Sequence, residues 1–350
     1  MITIGELTDN TRIDWDAYVR SAPEGLPTHL SGWRDVLRKT GGYETRYLMA
    51  RKEGRVVGVL PLFFVRSALV GKSAMTMPGG LCADSNEIAV ALIHEGESIA
   101  RLAGMRRFVV QDGRQDWPAG LNTRSDHVHW VVDVRVGTEA LWSQLQRNLR
   151  RQVRLATANG LVVEIDRSGQ ALTAFYNVFS RFTHEAGTPV FGRRFLENVI
   201  EAFPGGFNIA VVSHKGLPIG AFFQLEMAQV MVGMWGATPH AYLELRPNYL
   251  AYWSLLEDAA RRGFHCLDMG RSLAGSNASA FKGQWGGTCA PVCQQVATLG
   301  AVRSADNGVQ RADSHRGTPG GQWVARWWPR LPLPVASYLG PKLRHHVPFG

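Results

Sequence analysis

Cysteine is scarce in this chain, with four residues in a total of 350. Cys82 and Cys266 stand alone, while Cys289 and Cys293 lie close together in CAPVC. One C-x₃-C pair without a second pair is weak evidence for a metal site, and scattered cysteines are typical of reduced thiols. We therefore expect no metal and no disulfide framework.

Long apolar segments are also missing. The longest run, VVGVLPLFFV at residues 56–65, stops at Arg66. It is too short for a transmembrane helix, which needs about 20 residues. The N-terminal stretch MITIGELTDNTRIDWDAY lacks the charged and apolar regions of a secretory signal. These absences predict a cytoplasmic protein, with any contact to the inner membrane being peripheral.

Acidic residues are too few to balance the basic ones. The chain has 38 Lys and Arg against 29 Asp and Glu, which gives a net charge of +9 and a pI near 9.7. Such a charge favours polyanionic partners, including nucleic acid, nucleotide-bearing substrates and anionic membranes.

The chain contains a repeated hairpin pattern. Residues 47–65 and 207–226 each show an apolar strand, a turn glycine, a second glycine and another apolar strand. Gly54 and Gly58 match Gly216 and Gly220 at the same offset of 162 residues. Helical patterns surround both hairpins. We predict an α/β (α+β) protein with two tandem domains, at residues 1–137 and 138–299, each with a mixed central sheet flanked by helices.

The C-terminal part has a different composition. Residues 300–320 are polar and glycine-rich, which indicates a linker. Residues 321–350 hold three tryptophans, five prolines and six basic residues counting two histidines. We expect an irregular tail, because its prolines argue against one long amphipathic helix. It either packs over the folded domain or contacts a membrane interface.

A basic segment, RNLRRQVRLATANGL, lies near the centre of the chain. Its arginines fall on the helix face opposite an apolar stripe; they are Arg147, Arg150, Arg151 and Arg154. This face is either a solvated surface or a site for phosphate or another anion. RNA binding as the main function is disfavoured, because no aromatic residues are interleaved for base stacking.

The stretch DMGRSLAGSNASAFKGQWGG is the strongest candidate site. An apolar strand ends at Asp268 and Arg271 and opens into a loop of small residues, which closes on Lys282 between Phe281 and Trp285. We predict that Lys282, Arg271 and Asp268 serve catalysis. The alternatives are a surface lysine and an aspartate that caps the loop.

The order of elements in the second half resembles the GNAT acyltransferase fold, and two such domains in tandem resemble the FemAB peptidyltransferases. The strings RNLRRQVRLATANGL, GTPVFGRRFLENVIEAF, LRPNYLAYWSLLEDAARRGFHCLDMGRS, FKGQWG and WWPRLPLPVASYLGP are similar to FemAB-related proteins found beside exosortase/PEP-CTERM and exopolysaccharide genes. The resemblance implies an acyltransferase that transfers an acyl or aminoacyl group to an amine by direct attack within a ternary complex. It also implies that Lys282 contacts the substrate or the developing charge.

The resemblance implies further residue roles. The donor carbonyl is expected near GMWGAT, which includes Trp235 and Gly236. Neither donor is fixed by a motif: the turn YLELRPN lacks the usual acetyl-CoA pyrophosphate loop and offers Arg246, and no helical arm for tRNA is visible. The substrate-binding candidates are Arg193, Arg194, Arg246, Asn248, Tyr249, Trp285, Trp235 and Gly236. His184 and Glu185 are candidates for a general base, with a structural role favoured.

These observations predict an N-acyltransferase. The expected donor is acyl-CoA or aminoacyl-tRNA, and the expected acceptor is an amine on a small-molecule, lipid-linked or nucleotide-linked glycan precursor of the cell envelope or exopolysaccharide. The expected further partners are tRNA and a membrane contacted through the tail. The alternative is a non-catalytic, membrane-peripheral assembly protein that uses a transferase scaffold.

Overall fold

The computed structural model describes residues 1–67, 71–299 and 326–346, which form two compact units. Within the described residues, the first unit comprises 1–126, 291–299 and 342–346. The second comprises 127–290 and 326–341. The predicted linker at 300–320 lies outside the described residues.

The first unit is a mixed sheet with three helices. Its helices are α1 (Arg12–Ser21), α2 (Gly32–Gly41) and α3 (Asn86–Leu102). Its strands are β1 (Ile2–Glu6), β2 (Glu44–Lys52), β3 (Arg55–Ser67), β4 (Gly71–Thr76), β5 (Cys82–Ala83), β6 (Arg107–Gly113) and most of β13 (Thr288–Thr298). The strand order is β1-β2-β3-β4-β6-β13, with β5 paired to β3. Only the β4–β6 pair is parallel among these neighbours.

The second unit repeats this arrangement. Its strands are β7 (Asn122–Asp133), β8 (Leu161–Asp166), β9 (Phe207–His214), β10 (Leu217–Met227), β11 (Val230–Ala237) and β12 (Cys266–Leu273). Its helices are α4 (Thr138–Gln144), α5 (Arg147–Ala158), α6 (Leu172–Glu185), α7 (Arg193–Ala202), α8 (Pro247–Arg261), α9 (Asn277–Gly283) and most of α10 (Leu333–His345). The strand order is β8-β9-β10-β11-β12-β7, and only β11–β12 is parallel.

The two predicted hairpins have the same backbone geometry. Both turns have two residues of positive φ, Glu53-Gly54 and Lys215-Gly216, as a tight type I′ turn requires. Each hairpin then has a bulge in its second strand, at Val57 and at Ile219, which are again 162 residues apart. The mixed α/β fold with two similar domains is therefore confirmed at the level of turn, bulge and strand order.

The boundaries of the units differ from the predicted segments 1–137 and 138–299. Most of β7 belongs to the second unit, although it precedes the central helices. Most of β13 returns to the first unit and pairs with β6. The sheet of the first unit is therefore completed by a strand that follows the second unit in the chain. The sheet of the second unit is completed by a strand that precedes its helices.

The core of the second unit lies between its sheet and helices α5 and α8. Leu149 and Val153 of α5, Leu255 of α8, and Val212 and Met231 of the sheet are all buried in one cluster. The apolar stripe predicted for the basic segment therefore faces the core. The basic segment forms one helix, α5, which is separate from α4 because Leu145 and Gln146 adopt extended backbone angles between them.

The described part of the tail is helical, which differs from the expected irregular structure. Helix α10 places Pro334 in its first turn, where a proline costs little because that N–H has no partner within the helix. Pro341 lies inside the helix. Among the residues that the structure describes, none of the helices is long and apolar enough to cross a bilayer.

Candidate functional site

The sheet of the second unit opens between β11 and β12. Their parallel pairing joins residues 230–232 to 266–268. Just beyond, Met269 and Gly270 of β12 oppose one residue of β7, Trp130, and β11 carries Met234 as an extra residue against β10. Bulges bend the strands that carry them. Because both bulges lie at the end of the short ladder, the two strands separate there.

Gly270 allows the bulge of β12 to form close beside β11. Its φ is 75°, and a Cβ atom at this position would lie 2.5 Å from the carbonyl oxygen of Gly233. A side chain would therefore clash with β11 as well as strain the backbone.

A cavity of about 630 Å³ lies in the opening between the two strands. Aromatic and aliphatic side chains, such as Phe222 and Leu267, form part of its wall. The polar residues that line it are Gln224, Thr238, His240, Asn248, Asp268, Arg271, Ser272, Asn277 and Lys282. The structure thus brings together six predicted site residues: Lys282, Arg271, Asp268, Asn248, Trp235 and Gly236.

Lys282 lies on helix α9, whereas the sequence predicted a loop there. The helix forms because Ser276 caps it by accepting a hydrogen bond from the backbone N–H of Ser279 at 3.2 Å. Lys282 is 8% exposed, and its Nζ donates to the carbonyl oxygens of Gly270 at 2.8 Å and Arg271 at 3.1 Å. An ammonium has three N–H donors, so a third remains for a ligand.

Burial lowers the pKa of Lys282 to about 8, against the opposing effect of the Asp268 carboxylate. The amine is therefore mainly protonated at neutral pH and loses its charge at mildly alkaline pH.

Asp268 is buried beside the bulge of β12. Its Oδ1 accepts the backbone N–H of Gly270 at 2.8 Å, and its Oδ2 lies 3.4 Å from Nδ1 of His129. The carboxylate therefore stabilises the bulge and supplies negative charge near Lys282. Arg271 follows the bulge, is half-buried and lines the cavity.

The opposite wall is the bulged part of β11. The ring of Trp235 packs edge-on against Phe223, with centroids 5.3 Å apart. Gly236 leaves room for Phe222, whose ring atoms would lie 2.8 Å from a Cβ at that position. Asn248, in the first turn of α8, accepts a hydrogen bond from Oγ1 of Thr238 at 2.6 Å.

Three predicted substrate-binding residues lie outside the cavity lining. Trp285 is 2% exposed and packs in the core beneath Phe281. Tyr249 is half-buried, with its ring 5.1 Å from that of Phe281. Arg246 is exposed, with a φ of 68°, and precedes Pro247 at the start of α8.

The arginine pair of α7 also lies outside the cavity lining. Arg193 Nε donates to Glu197 at 3.1 Å and Arg194 donates to the same carboxylate at 3.4 Å. Arg193 reaches Oγ1 of Thr173 as well. Both charges are therefore engaged on the surface of their own helix.

The four arginines of α5 form one basic face. Arg147, Arg151 and Arg154 are exposed and Arg150 is half-buried. Arg154 lies over the ring of Trp142 at 5.5 Å. Within residues 1–67, 71–299 and 326–346, no acidic side chain forms a salt bridge with any of the four.

His184 and Glu185 have structural contacts. Nε2 of His184 lies 2.8 Å from the carbonyl oxygen of Leu331 in the tail. Oε2 of Glu185 accepts the backbone N–H of His240, a cavity residue, at 3.0 Å. These contacts agree with the structural role that we favoured.

Gln224 and Ser272 are among the cavity residues that the sequence reasoning missed. Gln224 and Ser272 are 2% and 7% exposed, and within the described part of the chain Oε1 of the first and Oγ of the second have no hydrogen-bond partner. A buried polar atom without a partner is costly, so such atoms suggest a ligand or water. The sequence did offer one indication of Gln224, because a glutamine inside the apolar strand AFFQLEM is unusual.

Comparison with known proteins identifies the fold of this site. Residues 143–283 match the family model of the acetyltransferase (GNAT) domain. This segment extends from the end of α4 to the end of α9 and includes all the residues that line the cavity. A search of the curated proteins found no match.

Solved structures resemble a larger part of the chain. FemX is 16% identical, with a TM-score of 0.65 over 84% of this chain and 96% of that one. The C-terminal domain of an Agrobacterium fabrum protein described as a lysylphosphatidylglycerol synthetase is 13% identical, with a TM-score of 0.60 over 90% and 98%. A tandem GNAT protein from the clavulanic acid biosynthesis pathway is 13% identical, with a TM-score of 0.58 over 87% and 100%.

Likeness at these identities shows the fold alone, and the domain match adds the enzyme class. The chain is a GNAT-domain acyltransferase with a tandem, FemAB-like fold.

Proposed function

We propose that this enzyme transfers an acetyl, other acyl or aminoacyl group to an amine of a cell-envelope or exopolysaccharide precursor. The observation that carries the proposal is the cavity where β11 and β12 separate, with the Lys282 ammonium fixed at its edge. The match of the surrounding segment to the GNAT domain supports it.

The proposed reaction is a direct attack within a ternary complex. Backbone N–H groups of residues 233–237 and the third N–H of Lys282 polarise the donor carbonyl, since hydrogen-bond donors aimed at the developing oxyanion stabilise it. The neutral acceptor amine attacks this carbon and forms the C–N bond. The C–S bond of a thioester, or the C–O bond of an ester, breaks, and the departing thiol or hydroxyl takes the proton that the amine gives up.

Arg271 and Asp268 have different roles in this proposal. Arg271 binds an anionic group of the acceptor, such as the phosphate of a lipid-linked or nucleotide-linked glycan, because a guanidinium pairs well with phosphate. Asp268 is a positioning residue, since its carboxylate holds the Gly270 N–H and so fixes the carbonyl groups that bind Lys282. Asn248, Trp235 and Gly236 border the donor's acyl end.

The donor classes use different surfaces. Acyl-CoA is the donor of GNAT domains, and its phosphates fit the N-terminus of α8, where Arg246 adds positive charge. Aminoacyl-tRNA is the alternative, and the basic face of α5 would contact its phosphates. The protein acts in the cytoplasm, next to the inner membrane, in this proposal.

A non-catalytic assembly protein is the competing function. It is favoured by the exposed aromatic and basic residues of the tail, including Trp327 and Arg330. This alternative requires that no donor class supports transfer.

A thermal-shift screen tests the donor and acceptor. Acetyl-CoA, longer acyl-CoAs, aminoacyl-tRNA and nucleotide sugars are each added to the purified chain, since a ligand of the native state raises the melting temperature by mass action. Each donor that binds is then prepared with a radiolabelled acyl group and incubated with a panel of amino sugars and peptides. Transfer of the label to an acceptor is measured.

Matched variants then test the site. We expect Lys282→Ala and Arg271→Ala to abolish transfer while the fold is retained, and Lys52→Ala, at an exposed lysine of the first unit, to leave transfer unchanged. Full activity in both site variants would refute the assignment of this cavity.

A further inference from the structure

The tail segment at residues 326–341 is fixed to the second unit by one side. Trp328 is 5% exposed and Ala336 is 2% exposed. The carbonyl oxygen of Leu331 lies 2.8 Å from Nε2 of His184, and a Cβ at Gly340 would lie 3.0 Å from the backbone nitrogen of Val190. This inner side therefore packs on the folded unit.

Around the start of α10 and just before it, the same segment exposes apolar side chains. Trp327, Leu333, Val335 and Tyr338 are 44%, 37%, 42% and 66% exposed. These four are among thirteen large hydrophobic side chains that are exposed in the described residues, and they fall within twelve consecutive positions. Scattered exposed apolar residues are ordinary on a protein surface, whereas such a concentration indicates an interaction site.

The charge around this apolar surface has one sign. Arg326 and Arg330 are exposed, and the guanidinium of Arg330 lies 4.4 Å from the ring centroid of Trp327. In the sequence, no acidic residue follows Asp313. We call Arg326, Trp327, Arg330, Leu333, Val335 and Tyr338 the outer tail surface.

We propose that the outer tail surface docks on an anionic lipid bilayer, with the first two turns of α10 and the residues before them at the interface. Aromatic rings and arginines suit the headgroup level, and leucine and valine enter the boundary with the acyl chains. Arginines near the surface gain from negatively charged lipids. The chemistry distinguishes lipid from nucleic acid, because a polyphosphate chain offers nothing that would bury Leu333 and Val335. This docking holds whether or not the cavity transfers an acyl group.

Vesicle co-sedimentation of the full chain tests the proposal. The probes are vesicles of phosphatidylcholine alone and vesicles of equal parts phosphatidylglycerol and phosphatidylcholine. We expect binding to the anionic vesicles that weakens with added salt. Leu333→Gln with Val335→Gln should lower the partition coefficient by about tenfold or more, and Arg326→Gln with Arg330→Gln by about fivefold per arginine.

Two matched double variants serve as controls. Leu217→Gln with Val162→Gln removes two exposed apolar side chains of the same unit, and Arg147→Gln with Arg151→Gln removes two exposed arginines of α5. Both should bind vesicles like the unaltered protein, and all variants should keep the same melting temperature.

Three results would overturn the proposal. They are failure of the unaltered protein to bind anionic vesicles, retained binding by the Leu333/Val335 variant, and equal loss of binding in the control variants. Equal loss in the α5 variant would point to that helix as the membrane contact instead.

Discussion

At the scale of single residues, we expect Lys282 to set the pH dependence of the proposed transfer. Its amine is buried, its pKa is lowered to about 8, and it lies against two backbone carbonyls that favour the charged form. The proposed role needs the ammonium. Activity should therefore depend on a group that loses its proton as the pH rises through the lowered pKa.

We expect kcat, measured with saturating donor and acceptor, to fall above about pH 8. Lys282→Arg should retain part of the activity and lose this alkaline decrease, because a guanidinium stays charged throughout the range. A rate that rises through pH 8 would instead mean that neutral Lys282 acts as a base.

Gln224 should limit the stability of the free protein. Replacing it with methionine, which has a similar shape, removes a buried oxygen without a partner, so we expect the free energy of unfolding to rise by about 1 kcal/mol. Activity should fall, because the amide faces the cavity. Chemical denaturation and transfer assays measure the two effects.

Gln295 provides the matched comparison. It is equally buried, but its side-chain amide has hydrogen-bond partners. Its Oε1 accepts from the backbone N–H of Trp117 at 3.1 Å, and its Nε2 donates to the Trp117 carbonyl oxygen at 2.8 Å and to Asp116 at 2.9 Å. Gln295→Met should therefore lower the free energy of unfolding by about 1–3 kcal/mol. If both variants were destabilised alike, Gln224 would have a structural role and no ligand.

At the scale of elements, the site depends on the bulge of β12. Gly270→Ala should reduce stability and activity together, since a methyl group there lies 2.5 Å from the Gly233 carbonyl oxygen and the φ of 75° is unfavourable. Gly275→Ala has nearly the same φ, 71°, and open space around its Cβ.

The control should lose only the backbone contribution, about 1–2 kcal/mol. Gly270→Ala should lose clearly more than that in urea denaturation. Equal losses would mean that β11 and β12 can shift apart without cost, and that their close approach does not shape the cavity.

Elements differed in how well the sequence predicted them. The hairpins could be predicted because paired glycines mark turns and bulges, which depend on local backbone geometry. The Glu197 partner of Arg193 was missed, although its spacing of four residues on one helix could have indicated it. Helix α9 was missed because a run of small residues favours a loop, and only the Ser276 cap and packing on β12 make it helical.

At the scale of the whole molecule, most of β13 belongs to the first unit, although it follows the second unit in the chain. It pairs with β6 from Cys293↔Gly113 to Thr298↔Arg107. A chain ending at residue 287 should leave the edge of β6 unpaired, and exposed edges promote aggregation.

A chain ending at residue 299 is the control, because it keeps β13. We expect the shorter chain to aggregate or melt at a clearly lower temperature in calorimetry, and the longer one to stay soluble. If the two melted alike, β13 would contribute little to the first unit.

The sequence by itself determined the duplicated α/β pattern and the strand that carries Asp268 and Arg271, because turns and strand periodicity are local properties. The role of Lys282 stays a prediction. Only the tertiary structure decided which strand completes each sheet, since β7 and β13 pair with partners that no local pattern specifies. It also decided which polar residues share the cavity: Gln224, Ser272 and Lys282 are far apart in the chain and meet because two bulges separate β11 from β12.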